Sequence, residues 1–229
     1  QHMLHGRSEI RIGALAVGGV SALIWGGAAV VPWLFPPVLD SAIANIEECM
    51  YEENPVLCAR PIMESLLTSH SGTDIMDALE TELTASQCHY IGHVVGQQSF
   101  VKLRTVDDAI SQCNRACDSA CIHGVVGEAF AEELGYDPLV DGNFDLKHLS
   151  AEDIYVIGEK LCTTSQTCHG VGHTLFQAYE EFEPALEVCR KIASGSLGQY
   201  CANGLFMEYA DILSFKNMRS VADTKYPNI

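Results

Sequence analysis

Four histidines fall in two matching pairs. Cys88-His89-Tyr90-Ile91-Gly92-His93 returns later in the chain as Cys168-His169-Gly170-Val171-Gly172-His173, and Gln97 returns at the same offset as Gln177. On a helix His89, His93 and Gln97 are spaced i, i+4, i+8, and so are His169, His173 and Gln177, so each set lies in one stripe. Two imidazoles four residues apart on a helix can share one metal ion. A duplicated helix invites the two stripes to face each other across a pseudo-dyad. Four imidazoles would then surround one ion or serve two, with Glu128 and Glu208 as added carboxylate ligands. Gln97, Gln177 and His123 are the candidates for polar groups that stand behind the ligands and orient them. His123 has Asn203 as its counterpart and breaks the symmetry, so it is either a ligand unique to one unit or, more simply, a polar helix residue. A single His-x-x-x-His is usually a pair of core histidines satisfied by carbonyls; the duplication, with its glycines and glutamines, favours metal.

Imidazole suits zinc, copper, iron or nickel. An all-histidine site outside the cytoplasm favours copper or zinc, and participating glutamates would bring in iron. A bis-histidine haem b is the remaining cofactor alternative. No nucleophile elbow, P-loop or dinucleotide-binding glycine pattern is present, so no catalytic residue is assigned. The reading is an accessory or metal-binding domain rather than an enzyme. The alternatives are a purely structural disulfide-stapled subunit and a His/Glu metalloenzyme.

Ten cysteines point to an oxidising compartment and to disulfides. Cys88/Cys168, Cys113/Cys189 and Cys121/Cys201 belong to the repeat, whereas Cys49, Cys58, Cys117 and Cys162 do not. Equivalent staples Cys88–Cys121 and Cys168–Cys201 are the first expectation.

The elements that position these residues read as helices. Cys121-Ile-His-Gly124 with Glu128 returns as Cys201-Ala-Asn-Gly204 with Glu208, at the same offset as the histidine motif. Ala109 and Cys113 answer Ala185 and Cys189, displaced by four through a loop that changed length. Ser150 with Asp153 resembles a capping box, and Thr73 or Asp74 would cap its counterpart. Gly92 and Gly96 lower helix propensity but allow a close neighbour. Asp118-Ser119 and Ser194-Gly195-Ser196 signal turns before the last helix of each unit. No alternating strand pattern occurs. The fold class is all-α, with two pseudo-symmetric four-helix repeats at 71–135 and 150–214. A helical lead-in occupies 36–70, a loop 136–149 and a tail 215–229.

From Ile12 to Phe35 the chain carries no charge, a run long enough to span a bilayer core of about 30 Å. Arg7 and Arg11 precede the span and Asp40, Glu47 and Glu48 follow it. The positive-inside rule then puts 1–11 in the cytoplasm and the main domain outside. Ala14, Gly18, Ala22 and Gly26 form a small-residue stripe suited to packing on another transmembrane subunit, so a larger membrane complex is the expected partner. The net charge of −17 argues against nucleic acid.

Overall fold

The computed structural model describes residues 38–52, 54–135 and 150–225, with side chains as far as residue 213. The span expected at 12–35, its small-residue stripe, the segment 1–11 and the loop 136–149 lie outside the described residues. Among those described, no helix is long and apolar enough to cross a membrane.

The described residues form ten helices and no strand. They are α1 (Leu39–Cys49), α2 (Pro55–Leu66), α3 (Gly72–Glu82), α4 (Ala85–Leu103), α5 (Val106–Ile110), α6 (Ala116–Glu133), α7 (Ala151–Leu161), α8 (Ser165–Tyr179), α9 (Phe182–Ile192) and α10 (Ser196–Lys225). Side-chain caps set many of the starts. Asn54 accepts from the Leu57 amide ahead of Pro55, which sits at the helix's first position, where its missing N–H goes unneeded. Thr84 and Thr164 open α4 and α8 with capping boxes closed by Gln87 and Thr167. Ser150 caps α7 by accepting from Asp153, but Ser71, not Thr73 or Asp74, caps α3, with Asp74 closing the box. Helix α10 continues to Lys225, past the boundary expected at 214.

Apolar faces then dictate the packing. Ala185, Val188, Cys189 and Ile192 recur at i, i+3, i+4 and i+7 along α9 and are all buried. One core gathers Ile43, Ile46, Met63, Leu66, Ile75, Leu79 and Ile91 from α1 to α4. The other gathers Ile154, Val171, Leu175, Val188 and Leu205 from α7 to α10. Helix α6 feeds both, with Ala120 and Cys121 in the first and Val125, Val126 and Phe130 in the second.

Helix pairs α4/α6 and α8/α10 are in closest contact, through glycines that admit a neighbouring backbone. A Cβ on Gly96 would fall 1.9 Å from the Cys121 carbonyl oxygen, and one on Gly124 would fall 1.9 Å from that of His93. In the second pair Gly172 meets the Cys201 oxygen and Gly204 the His169 oxygen, both also at 1.9 Å. Helix α8 then lies on α6, where a Cβ on Gly170 would sit 3.2 Å from His123 Cα. The two histidine-bearing helices α4 and α8 therefore do not face each other directly. Helix α6 stands between them.

These contacts also fix the register of the two pairs. Gly124 and Gly204 keep the offset of the sequence motifs, but Gly96 and Gly172 are nearer in the chain by one helical turn, as are the left-handed caps Arg104 and Glu180. The packing equivalent of His93 is thus His169, and that of Gln97 is His173. Helix α4 has one extra turn at its start, residues 85–88, and His89, which follows it, matches Ser165 rather than a histidine.

All ten cysteines are paired, with none free. Cys113–Cys121 and Cys189–Cys201 are the equivalent staples, tying the segment after α5 to α6 and α9 to α10. The expected pairs Cys88–Cys121 and Cys168–Cys201 do not form. Cys121 and Cys201 are taken by the partners just before the turn, at Cα separations of 5.5 and 5.6 Å. Cys88 instead bonds Cys117 and Cys168 bonds Cys162, while Cys49–Cys58 joins α1 to α2.

Candidate metal centre

The site begins with a strained turn. Cys117, Asp118 and Ser119 all have positive φ (51°, 55° and 64°), a region that disfavours L side chains. Three contacts hold the turn. Glu80 accepts the Cys117 N–H at 3.0 Å, Cys88 bonds the Cys117 sulfur, and the Cys117 carbonyl accepts from His89 Nδ1 at 2.8 Å. A carbonyl can only accept, so His89 carries a proton on Nδ1, and it is the Nε2 of the neutral ring that offers a lone pair. The turn therefore fixes the tautomer of a histidine on a different helix.

His89 and His93 of α4, His123 of α6 and His173 of α8 converge, with one ligating atom from each lying within 4.8 Å of all the others. Their six ring-centroid separations run from 4.6 to 5.8 Å. Four imidazoles bound tetrahedrally at about 2.0–2.1 Å would place nitrogens about 3.4 Å apart and centroids about 5 Å apart. His89 Nε2 and His93 Nε2 are 3.2 Å apart. His89, His123 and His173 are only 3%, 4% and 2% exposed, and His93 is half-buried.

Two ring nitrogens of the group, His123 Nδ1 and His173 Nε2, are buried without a hydrogen-bond partner. An orphaned polar atom in a core is costly, by about 1–3 kcal/mol. Desolvation, and then the neighbouring imidazoles, hold His93, His123 and His173 well below the usual value of 6.5. They are neutral, the form that ligates metal.

Behind His173 stands Glu208 of α10. Its Oε2 accepts from His173 Nδ1 at 2.7 Å, and its Oε1 accepts from Gln177 at 3.0 Å. This arrangement is the carboxylate–histidine pairing that orients a metal-binding imidazole and leaves its Nε2 free. Burial pushes the Glu208 carboxyl up to about 7, against the pull of Gln177 and His89. A dication on the far side of the imidazole would favour the ionised form. Asp211, one turn further on, has Oδ2 3.4 Å from His89 Nε2, and burial raises its carboxyl.

The expected ligands thus separate by place. His89, His93 and His173 join the four-histidine group, and His123 joins them in place of His169. His169 stacks on His123 at 4.7 Å, with its Nε2 3.3 Å from Met207 Sδ. Glu208 stands behind a histidine, as Gln177 does behind Glu208. Glu128 lies 3.6 Å from Arg60 of α2, outside the group, and the buried Oε1 of Gln97 has no hydrogen-bond partner. Sequence alone ranks His123 behind the paired histidines, because Asn203 breaks the repeat. Its position next to Gly124, the residue in contact with the His93 carbonyl, is the signal that places it beside that histidine. Met207 and Asp211 carry no such signal, since Gly127 and Ala131 stand at the matching positions.

Comparison with protein-family models, with curated proteins and with solved structures finds no match to this chain.

Proposed function

We propose that this chain binds one transition-metal ion between His89, His93, His123 and His173, as a membrane-tethered accessory domain facing an oxidising compartment. One observation carries the reading: four imidazoles on three helices converge with a ligating atom from each within 4.8 Å of the others, and two of their ring nitrogens are buried without hydrogen-bond partners. The ion supplies the positive charge that those lone pairs lack. A set of four imidazoles suits copper or zinc; iron becomes a candidate only if Asp211 contributes its oxygen. Four rings in mutual contact leave no flat slot for a macrocycle, which disfavours haem b. Four protein ligands close a tetrahedral shell, the pattern of holding an ion rather than turning over a substrate at it.

The tether and its orientation rest on the uncharged run at 12–35 and the arginines before it. Five disulfides using every cysteine agree with a location outside the cytoplasm. The stripe Ala14, Gly18, Ala22 and Gly26 is the proposed contact with other transmembrane subunits.

Cobalt(II) reports the geometry directly. The full chain in detergent, loaded with cobalt, should show the intense visible absorption of a tetrahedral site, displaced by one equivalent of zinc. A weak octahedral spectrum, or none, would contradict the proposal.

A further inference from the structure

Beside the four-histidine centre lies a donor pair that the centre does not use. His169 Nε2 and Met207 Sδ are 3.3 Å apart, and both residues are half-buried, unlike the enclosed His89, His123 and His173. The thioether is a soft donor, which selects copper(I) and offers little to zinc or iron. An ion about 2.0 Å from the nitrogen and about 2.3 Å from the sulfur would see them at about 100°, an angle that three- or four-coordinate copper(I) accepts. His123 stands between this pair and the centre. Its ring stacks on His169 at 4.7 Å and on His173 at 4.6 Å, with interplanar angles of 30° and 21°. Burial, and then His89, hold His169 below its usual value against the pull of Asp118, an exposed carboxylate on the strained turn that puts negative charge on the approach.

We propose that His169 and Met207 form an outer copper(I) site that captures the ion and passes it through His123 to the four-histidine centre. This rests on the metal-binding reading above and deepens it by naming the cargo. The transfer is a ligand exchange: imidazole nitrogen replaces thioether sulfur on the ion, and the oxidation state does not change. The transfer runs from the half-buried pair toward His123 and His173, which are enclosed.

The test is an anaerobic titration of the full, metal-free chain in detergent with copper(I), against a chromogenic cuprous chelator, with zinc(II) titrated in parallel. The wild type should take two copper(I) ions but one zinc. Met207→Leu should take one copper(I), load it at least roughly tenfold more slowly, and bind zinc unchanged. His173→Ala should lose zinc and keep one copper(I). Copper-edge absorption should show a sulfur neighbour in the wild type and in His173→Ala, but not in Met207→Leu. Every cysteine is in a disulfide, so that sulfur can come only from methionine. A Met207→Leu chain matching the wild type in copper number and loading rate overturns the outer site alone. A wild type that takes neither metal overturns the centre as well.

Discussion

His89 and His173 each have one nitrogen committed to the protein and one turned to the centre. The Cys117 carbonyl holds the Nδ1–H of His89, and Glu208 holds that of His173. These partners fix which nitrogen faces an ion, so removing one should weaken binding without emptying the site. Glu208→Gln keeps the shape but loses the carboxylate charge; metal affinity should fall about 10–100-fold with the helical circular dichroism unchanged. His123→Asn, which copies the residue at the matching position 203, should abolish binding at the centre altogether. Competition against a metal chelator measures both. Equal affinity in His123→Asn and the wild type would remove α6 from the site. His89, His93 and His173 are legible in the sequence because spacing on a helix is a local property. His123 is not, because its membership depends on which helix stands between two others.

At the scale of the helix, glycine is what sets that arrangement. Gly124 and Gly204 hold α6 and α10 against the carbonyls of His93 and His169, with room for no side chain at all. Gly124→Ala forces a methyl into a backbone oxygen and should destabilise by about 3 kcal/mol or more, dispersing the histidines of α4 and α6 together. Thermal unfolding and metal binding should fall in parallel. A variant that keeps its stability would show that the helices do not meet there. The duplicated glycines are visible in the sequence, and so is the helical class, through the Ser150 cap and the apolar period of α9. The one-turn offset is hidden. Aligned motifs put His93 opposite His173, whereas the packing of the helices puts it opposite His169. The cause is an extra turn at the start of α4, and a local pattern does not record how far along its axis a helix sits.

For the molecule as a whole, disulfides tie each unit internally, and metal would tie α4 and α6 of the first to α8 of the second. Cys113–Cys121 and Cys189–Cys201 each close a short loop, so in the chain-entropy picture each contributes a few kcal/mol at most. Thiol counting under denaturing, non-reducing conditions should find none free; several free thiols per chain would contradict the pairing. The disulfide class is legible from an even count of cysteines. The pairing is not, because spacing alone does not say which cysteine lies nearest in space. Topology is tested by a cysteine introduced at Gly142. An impermeant reagent should label it in intact cells, and labelling only after permeabilisation would reverse the proposed orientation.

The most direct test is elemental analysis of the purified full chain after loading with zinc or copper and removal of excess, beside the double variant His123→Ala/His173→Ala. The wild type should retain at least one tightly held transition-metal ion per chain, and zinc should be held at about one per chain. The double variant, still helical, should hold no zinc. A wild type that leaves the desalting column without metal, or a double variant that retains as much zinc, would show that the histidines serve the fold alone.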